Sequence, residues 1–148
     1  MELAPLETLC NGLLTQVGAA QRRQLARQIA TSLRQSQAQR IARQQDPDGN
    51  PFAARKPQLR RKKGALRRAL FAKLRTAKWL KIEATPDTAT VVFADQVQHM
   101  AQVHQFGLRD KVNPRGLMAD YPARRLLGMT DADAQMVQDA VLAHLAAG

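Results

Sequence analysis

A chain of 148 residues has room for one modest core, and its 45% hydrophobic content includes only 4% aromatic residues and much alanine, so burial alone gives limited cohesion. The net charge of +11, from 23 Lys and Arg against 12 Asp and Glu, is uneven: Arg55 to Lys81 holds twelve basic residues and no acidic one, whereas Thr85 to Gly148 holds five basic and seven acidic. A lone Cys10 excludes an internal disulfide, and no apolar run approaches the roughly 20 residues that span a bilayer.

The first apolar patch contains Glu2 and Glu7 with no basic lead, which argues against a secretory signal and for a soluble chain made in the cytoplasm. Leu6, Leu9, Leu13, Leu14 and Val17 recur at three- and four-residue steps, and Pro5 sits where an early helical turn tolerates it. Residues 4–18 are therefore expected to form a short amphipathic helix closed by Gly18. Leu25, Ile29 and Leu33 continue at four-residue steps, with Ile41 two turns on, so residues 20–44 predict one long helix with a narrow apolar stripe.

Asp46-Pro47-Asp48-Gly49-Asn50-Pro51-Phe52 ends that helix, since Pro47 biases its predecessor away from helix and Asp48-Gly49 suits a turn. Asp48 and Asn50 alternate as in a calcium loop, but no Glu follows at the spacing such a loop requires. A plain turn with Phe52 folded back on the helix is the better reading. Residues 46–64 then read as a loop or extended arm, because the charges after Arg55 repel one another and have little to bury. Leu66, Leu70, Phe71 and Leu74 predict an amphipathic helix over 65–75.

Two antiparallel strands are expected at 77–84 and 88–94, joined by a turn at Thr85 to Asp87. Helical spacing returns at Val97, Met100, Ala101 and His104. Thr130, followed by Asp131 and Asp133, marks a further helix start, and Met136, Val137, Ala140, Val141, His144 and Leu145 form its buried face. Between these helices, Val103 to Gly128 packs two aromatics, three glycines and two prolines, more punctuation than a plain connector needs. Gly107 and Gly116 suit sharp turns, and Phe106 and Tyr121 are expected to anchor the loop. The fold class is α+β: long N-terminal helices, a small antiparallel sheet packed by helices, and an extended basic arm, in a single domain over 1–148.

No chemistry of catalysis is written in the chain. Lys63-Gly64 lacks the Ser or Thr and the upstream glycine of a phosphate loop. His99 and His104 lie five apart, on different faces of a helix, and His144 is alone, so metal ligation is not expected. Asp131 and Asp133 are accounted for by capping. The readings are no enzyme, no catalytic residue, no metal and no cofactor. The basic tract leaves an alternative, a nucleic-acid-binding protein using residues 55–81 as its electrostatic footprint, although Phe71 is its one aromatic before Trp79 and stacking residues are otherwise lacking.

Arg40-Ile41 leading to Asp46-Pro47-Asp48-Gly49, Arg60-Arg61-Lys62-Lys63-Gly64 with Phe71-Ala72-Lys73-Leu74-Arg75, Val103-His104-Gln105-Phe106-Gly107, and Tyr121-Pro122-Ala123-Arg124 with Leu126-Leu127-Gly128 occur in a fixed order over nearly the whole length. In these pieces the chain resembles the phage virion morphogenesis, or tail completion, family of contractile-tailed temperate phages. The resemblance implies a structural protein at the head-proximal end of the tail, a tail terminator or neck component that lets a finished tail join the head. It also implies a homo-oligomeric ring, sixfold like the tail tube, with tail tube or sheath protein, head connector proteins and packaged DNA as neighbours, and no membrane. Location in the virion, and in host cytoplasm during assembly, follows. Ring contacts are head to tail, and the faces expected to carry them are the basic tract, through Arg60, Arg61, Lys62, Lys63, Arg67 and Arg68, and the loop, through His104, Phe106, Tyr121 and Arg124.

Overall fold

A computed structural model describes residues 4, 5, 8, 18–55 and 69–147. In chain order its elements are α1 (Ala19–Ala42), β1 (Leu80–Ala84), β2 (Ala89–Phe93), α2 (Asp95–Phe106), β3 (Arg109–Lys111), β4 (Met118–Asp120) and α3 (Asp131–Ala147), an α+β fold. The chain divides into two compact units interleaved in sequence. One comprises Met1–Ser36, Leu80–Val92 and Met129–Gly148; the other comprises Gln37–Trp79 and Phe93–Gly128.

In the first unit, α1 has no Gly or Pro to break it and sets Leu25 and Ile29 on one face, where they pack with Val137 and Val141 of α3. Leu33, Ala89, Met129, Met136, Ala140 and Leu145 surround that cluster. Helix α3 starts as its sequence predicts: Asp133 N–H donates to Thr130 Oγ1 at 3.0 Å, and Thr130 N–H donates back to Asp133 Oδ2 at 3.1 Å. This reciprocal cap satisfies amides that would otherwise lack partners. Asp133 is buried, and Ser36 Oγ donates to its other oxygen. Strands β1 and β2 pair through a tight turn in which Thr85 N–H donates to Thr88 O at 2.9 Å. Arg34 Nε donates to Leu80 O at 2.7 Å.

The second unit has a different construction. Its fully buried residues include Ile41, in the last turn of α1, and Leu126, which lies in an irregular segment. Helix α2 buries Val97, Ala101 and Val103 and ends at Gly107, whose φ of 66° lets its N–H return to Val103 O. A Cβ there would stand 2.7 Å from Ala123 N, so glycine is required by both conformation and space. Strands β3 and β4 form an antiparallel ribbon with Arg109 opposite Asp120, Asp110 opposite Ala119 and Lys111 opposite Met118.

Several expectations change here. The single small sheet becomes two separate two-stranded sheets, because the segment after Gly107 forms its own ribbon. The helix expected over 65–75 is not present in its described part: residues 70–75 form successive turns, with Phe71 at φ 63°. Left-handed backbone at that point is incompatible with a continuing right-handed helix. The first strand consequently begins at Leu80 rather than 77. Residues 46–52 are a compact turn, with Asp46 Oδ1 accepting from the amides of Asp48 and Asn50 at 3.0 and 2.9 Å. The remainder of the expected arm, and most of the expected helix over 4–18, lie outside the described residues; residues 4, 5 and 8 are helical.

Candidate interaction surface

Within the second unit, residues around the end of α2 enclose a groove of about 600 Å³, lined by Phe71, Leu74, Met100, His104, Tyr121 and Arg124 among others. Three edge-to-face ring contacts run beside it. Phe52 meets Phe71 at 5.4 Å, Phe71 meets His104 at 4.9 Å, and His104 meets Tyr121 at 5.2 Å. Such geometry sets the positive edge of one ring against the negative face of the next.

Phe71 occupies its place at a cost, since a bulky residue at positive φ is strained. The adjoining backbone is held from outside: Gln44 Oε1 accepts from Leu70 N–H and Gln44 Nε2 donates to Leu70 O, both at 2.8 Å. Gln44 itself has φ 58° as it leaves α1. The helix end thus delivers a side chain that fixes a residue 26 positions later.

His104 is half-buried, and burial, followed by the charge of Arg124, holds its pKa below 6.5. Its Nδ1 is buried and has no hydrogen-bond partner among the described residues. Arg124 is 5% exposed; Nε donates to Ala53 O at 2.7 Å and NH2 donates to Ala54 O at 3.0 Å. Its backbone N–H donates to His104 O at 2.7 Å. The expected polar contacts of His104 and Arg124 therefore include bonds within the chain.

The segment that follows is tied down by side chains reading its backbone. Gln105 Oε1 accepts from the amides of Leu126 and Leu127 at 2.8 and 3.0 Å, and Nε2 donates to Leu127 O at 2.9 Å. Arg40, 3% exposed, donates to Leu126 O at 3.1 Å and to Gln45 O and Gly128 O at 3.4 Å. Gln37 accepts from Arg40 and from Gly128 N–H. Arg125 pairs with Asp48 and, at 3.9 Å, with Asp46. Gly128 lies on Pro47, where a Cβ would come within 2.4 Å of the proline ring.

Of the residues singled out from sequence, His104, Tyr121 and Arg124 converge at the groove. Phe106 does not anchor the loop: its side chain is 67% exposed, because α2 ends immediately after it and turns it outward. Arg60, Arg61, Lys62, Lys63, Arg67 and Arg68 lie outside the described residues. The sequence assigns no role to Gln37, Arg40, Gln44 or Gln105, although Arg40 and Gln105 stand within the pieces that carry the resemblance. For Gln37 a signal existed, since it occupies the next four-residue step of the stripe Leu25, Ile29, Leu33 and so sits where an apolar residue was due. Among the described residues no group of three or more His, Cys, Asp or Glu is arranged to hold a metal. None of the described helices is long and apolar enough to cross a membrane.

The described residues form a small α+β fold whose polar side chains shape its loops, and the chain belongs to the phage virion morphogenesis family, whose sequence model matches residues 1–146. Tail completion protein S of Escherichia phage P2 is 42% identical over 146 residues, covering 97% of each chain. No solved structure matches.

Proposed function

We propose that the protein is a non-enzymatic structural component completing the phage tail at its head-proximal end, where it caps the tail tube and enables head joining. The observation that carries this reading is the end-to-end similarity to the tail completion protein of phage P2. On this reading residues 1–148 act as a single virion morphogenesis domain. The interleaving of both units along the sequence supports that, since neither is a contiguous segment that could be cut away. The subunit works in a head-to-tail ring, sixfold like the tube it closes, touching tube or sheath on one side and connector proteins on the other.

The exposed apolar surface is consistent with packing completed by neighbours. Met100, Phe106, Leu108, Val112, Leu117 and Met118 are each at least 40% exposed, and all lie in 19 consecutive residues. A concentration of that kind marks a contact surface more often than a solvated one. The basic residues Arg60 to Lys63, Arg67 and Arg68 supply a second face, toward connector protein or packaged DNA.

Electron microscopy of particles assembled without the protein tests the proposal. Overlong tails indicate that it caps, free tails of normal length indicate that it joins, and normal infectious particles overturn both. Reversing Lys62 and Lys63 to Glu is expected to block tail–head joining. A protein that purifies as a monomer, binds DNA with a steep salt dependence and is absent from virions belongs to the nucleic-acid class instead.

A further inference from the structure

The ribbon β3–β4 has the features of half a sheet. Val112 N–H donates to Leu117 O at 2.8 Å and Tyr121 N–H donates to Leu108 O at 3.1 Å. With the register above, the bonded pairs are Leu108 with Tyr121, Asp110 with Ala119, and Val112 with Leu117. Arg109 and Lys111 on one strand, and Met118 and Asp120 on the other, are the intervening non-bonded positions, so their N–H and C=O groups point away from the ribbon. Among the described residues neither edge pairs with another strand. The Lys111 N–H is turned toward the Asp110 carboxylate, whose pKa it lowers; the Arg109 amide and both carbonyls remain as the outward groups of β3.

A two-stranded ribbon gains little stability alone in water. This one also exposes Leu108, Val112, Leu117 and Met118 at 40 to 62%. It lacks a proline or bulge within either strand, two of the devices by which proteins blunt a free edge. What it carries is charge: on β3 the alternate residues Arg109 and Lys111, with Asp110 between them on the opposite face and paired with His99, and on β4 Asp120. Although Arg109 and Asp120 face each other across the ribbon, no ion pair joins them among the described residues.

We infer that the β3 edge of one copy pairs antiparallel with the β4 edge of a second copy, continuing the ribbon into an intermolecular sheet. The occupant follows from charge. Pairing β3 with β3 brings Arg109 and Lys111 against the same two cations, and pairing β4 with β4 brings Asp120 toward Asp120. Of the three edge pairings, only β3 against β4 sets Arg109 of one copy beside Asp120 of the other, and that arrangement is head to tail, so the same contact repeats from copy to copy. The inference rests on the proposed self-association and names the surface that performs it.

Two opposite charge reversals test it, with assembly state read by sedimentation velocity of the full chain. Arg109→Asp and Asp120→Arg alone are each expected to weaken association at least tenfold. Their equimolar mixture is expected to recover wild-type assembly, because each chain then presents the complementary edge to the other. A contact confined within one chain is not repaired by mixing. Met118→Pro removes one outward N–H while leaving the ribbon's own bonded pairs, and is likewise expected to dissociate the assembly. Far-ultraviolet circular dichroism checks that each variant is folded. If folded variants all assemble as the wild type does, the ribbon is not the contact, although self-association stands. Folded single variants that dissociate but do not recover on mixing place the charge effect elsewhere and overturn the edge pairing. A wild type that remains monomeric at every concentration overturns both the edge pairing and the ring.

Discussion

In the first unit cohesion comes from side chains meeting side chains: Leu25 and Ile29 of α1 against Val137 and Val141 of α3. In the second, the side chains of Gln37, Arg40, Gln44, Gln105 and Arg124 give their polar atoms to backbone amides and carbonyls of other segments. Regular helices satisfy their own backbone groups and need only an apolar face to pack. Irregular segments such as 121–130 do not, and every buried N–H or C=O in them needs a partner from elsewhere. Burial is indifferent to direction, whereas a hydrogen bond specifies a position. The second unit is therefore shaped where the first is filled.

Equal-sized substitutions should separate the two most sharply. Arg40→Met leaves the carbonyls of Leu126, Gln45 and Gly128 without their donor and should cost about 3 kcal/mol or more in denaturant unfolding. Leu25→Met, in the tightly filled first unit, should cost less than about 1.5 kcal/mol, while Leu25→Ala should cost about 3 kcal/mol. An Arg40→Met variant as stable as wild type would dissolve the distinction. Gly107→Ala comes next, at about 2 kcal/mol, from left-handed strain and the approach to Ala123 N, and hydrogen exchange should rise first in residues 103–128.

A pH effect is expected from the second unit. Well above pH 6.5 His104 is neutral in both folded and unfolded chains. As pH falls through 6.5, the unfolded chain takes up a proton that burial and Arg124 make the folded chain resist, so stability declines. Thermal unfolding between pH 7.5 and 5.5 should show this decline, and His104→Phe should reduce it. The smallest effect is Thr130→Ala, about 1 kcal/mol from the lost helix cap, with no change near the groove.

The same contrast explains what could be read from sequence. Helix α1, the β1–β2 pair, α2 and the start of α3 are each announced by period, turn residues or caps within a few positions, and the ends expected for α1 and the two strands lie within one to three residues of those observed. The 46–52 turn was legible because Asp46, Pro47 and Gly49 act locally. The helix expected at 65–75 failed in its described part because Leu70 is held by Gln44, 26 residues earlier, and no local pattern encodes that bond. The bonds of Arg40 and Gln105 are not legible for the same reason: a polar residue on a helix reads as solvated until its distant carbonyl is known. Phe106 misled by type, since an aromatic beside glycines suggests an anchor, whereas its helical position turns it outward.

The described backbone on either side of residues 56–68 is clamped by side chains from elsewhere in the second unit. Upstream, Arg124 grips the carbonyls of Ala53 and Ala54; downstream, Gln44 grips both backbone groups of Leu70. Leu70 and Arg124 both line the groove, so loosening either clamp alters the groove wall directly.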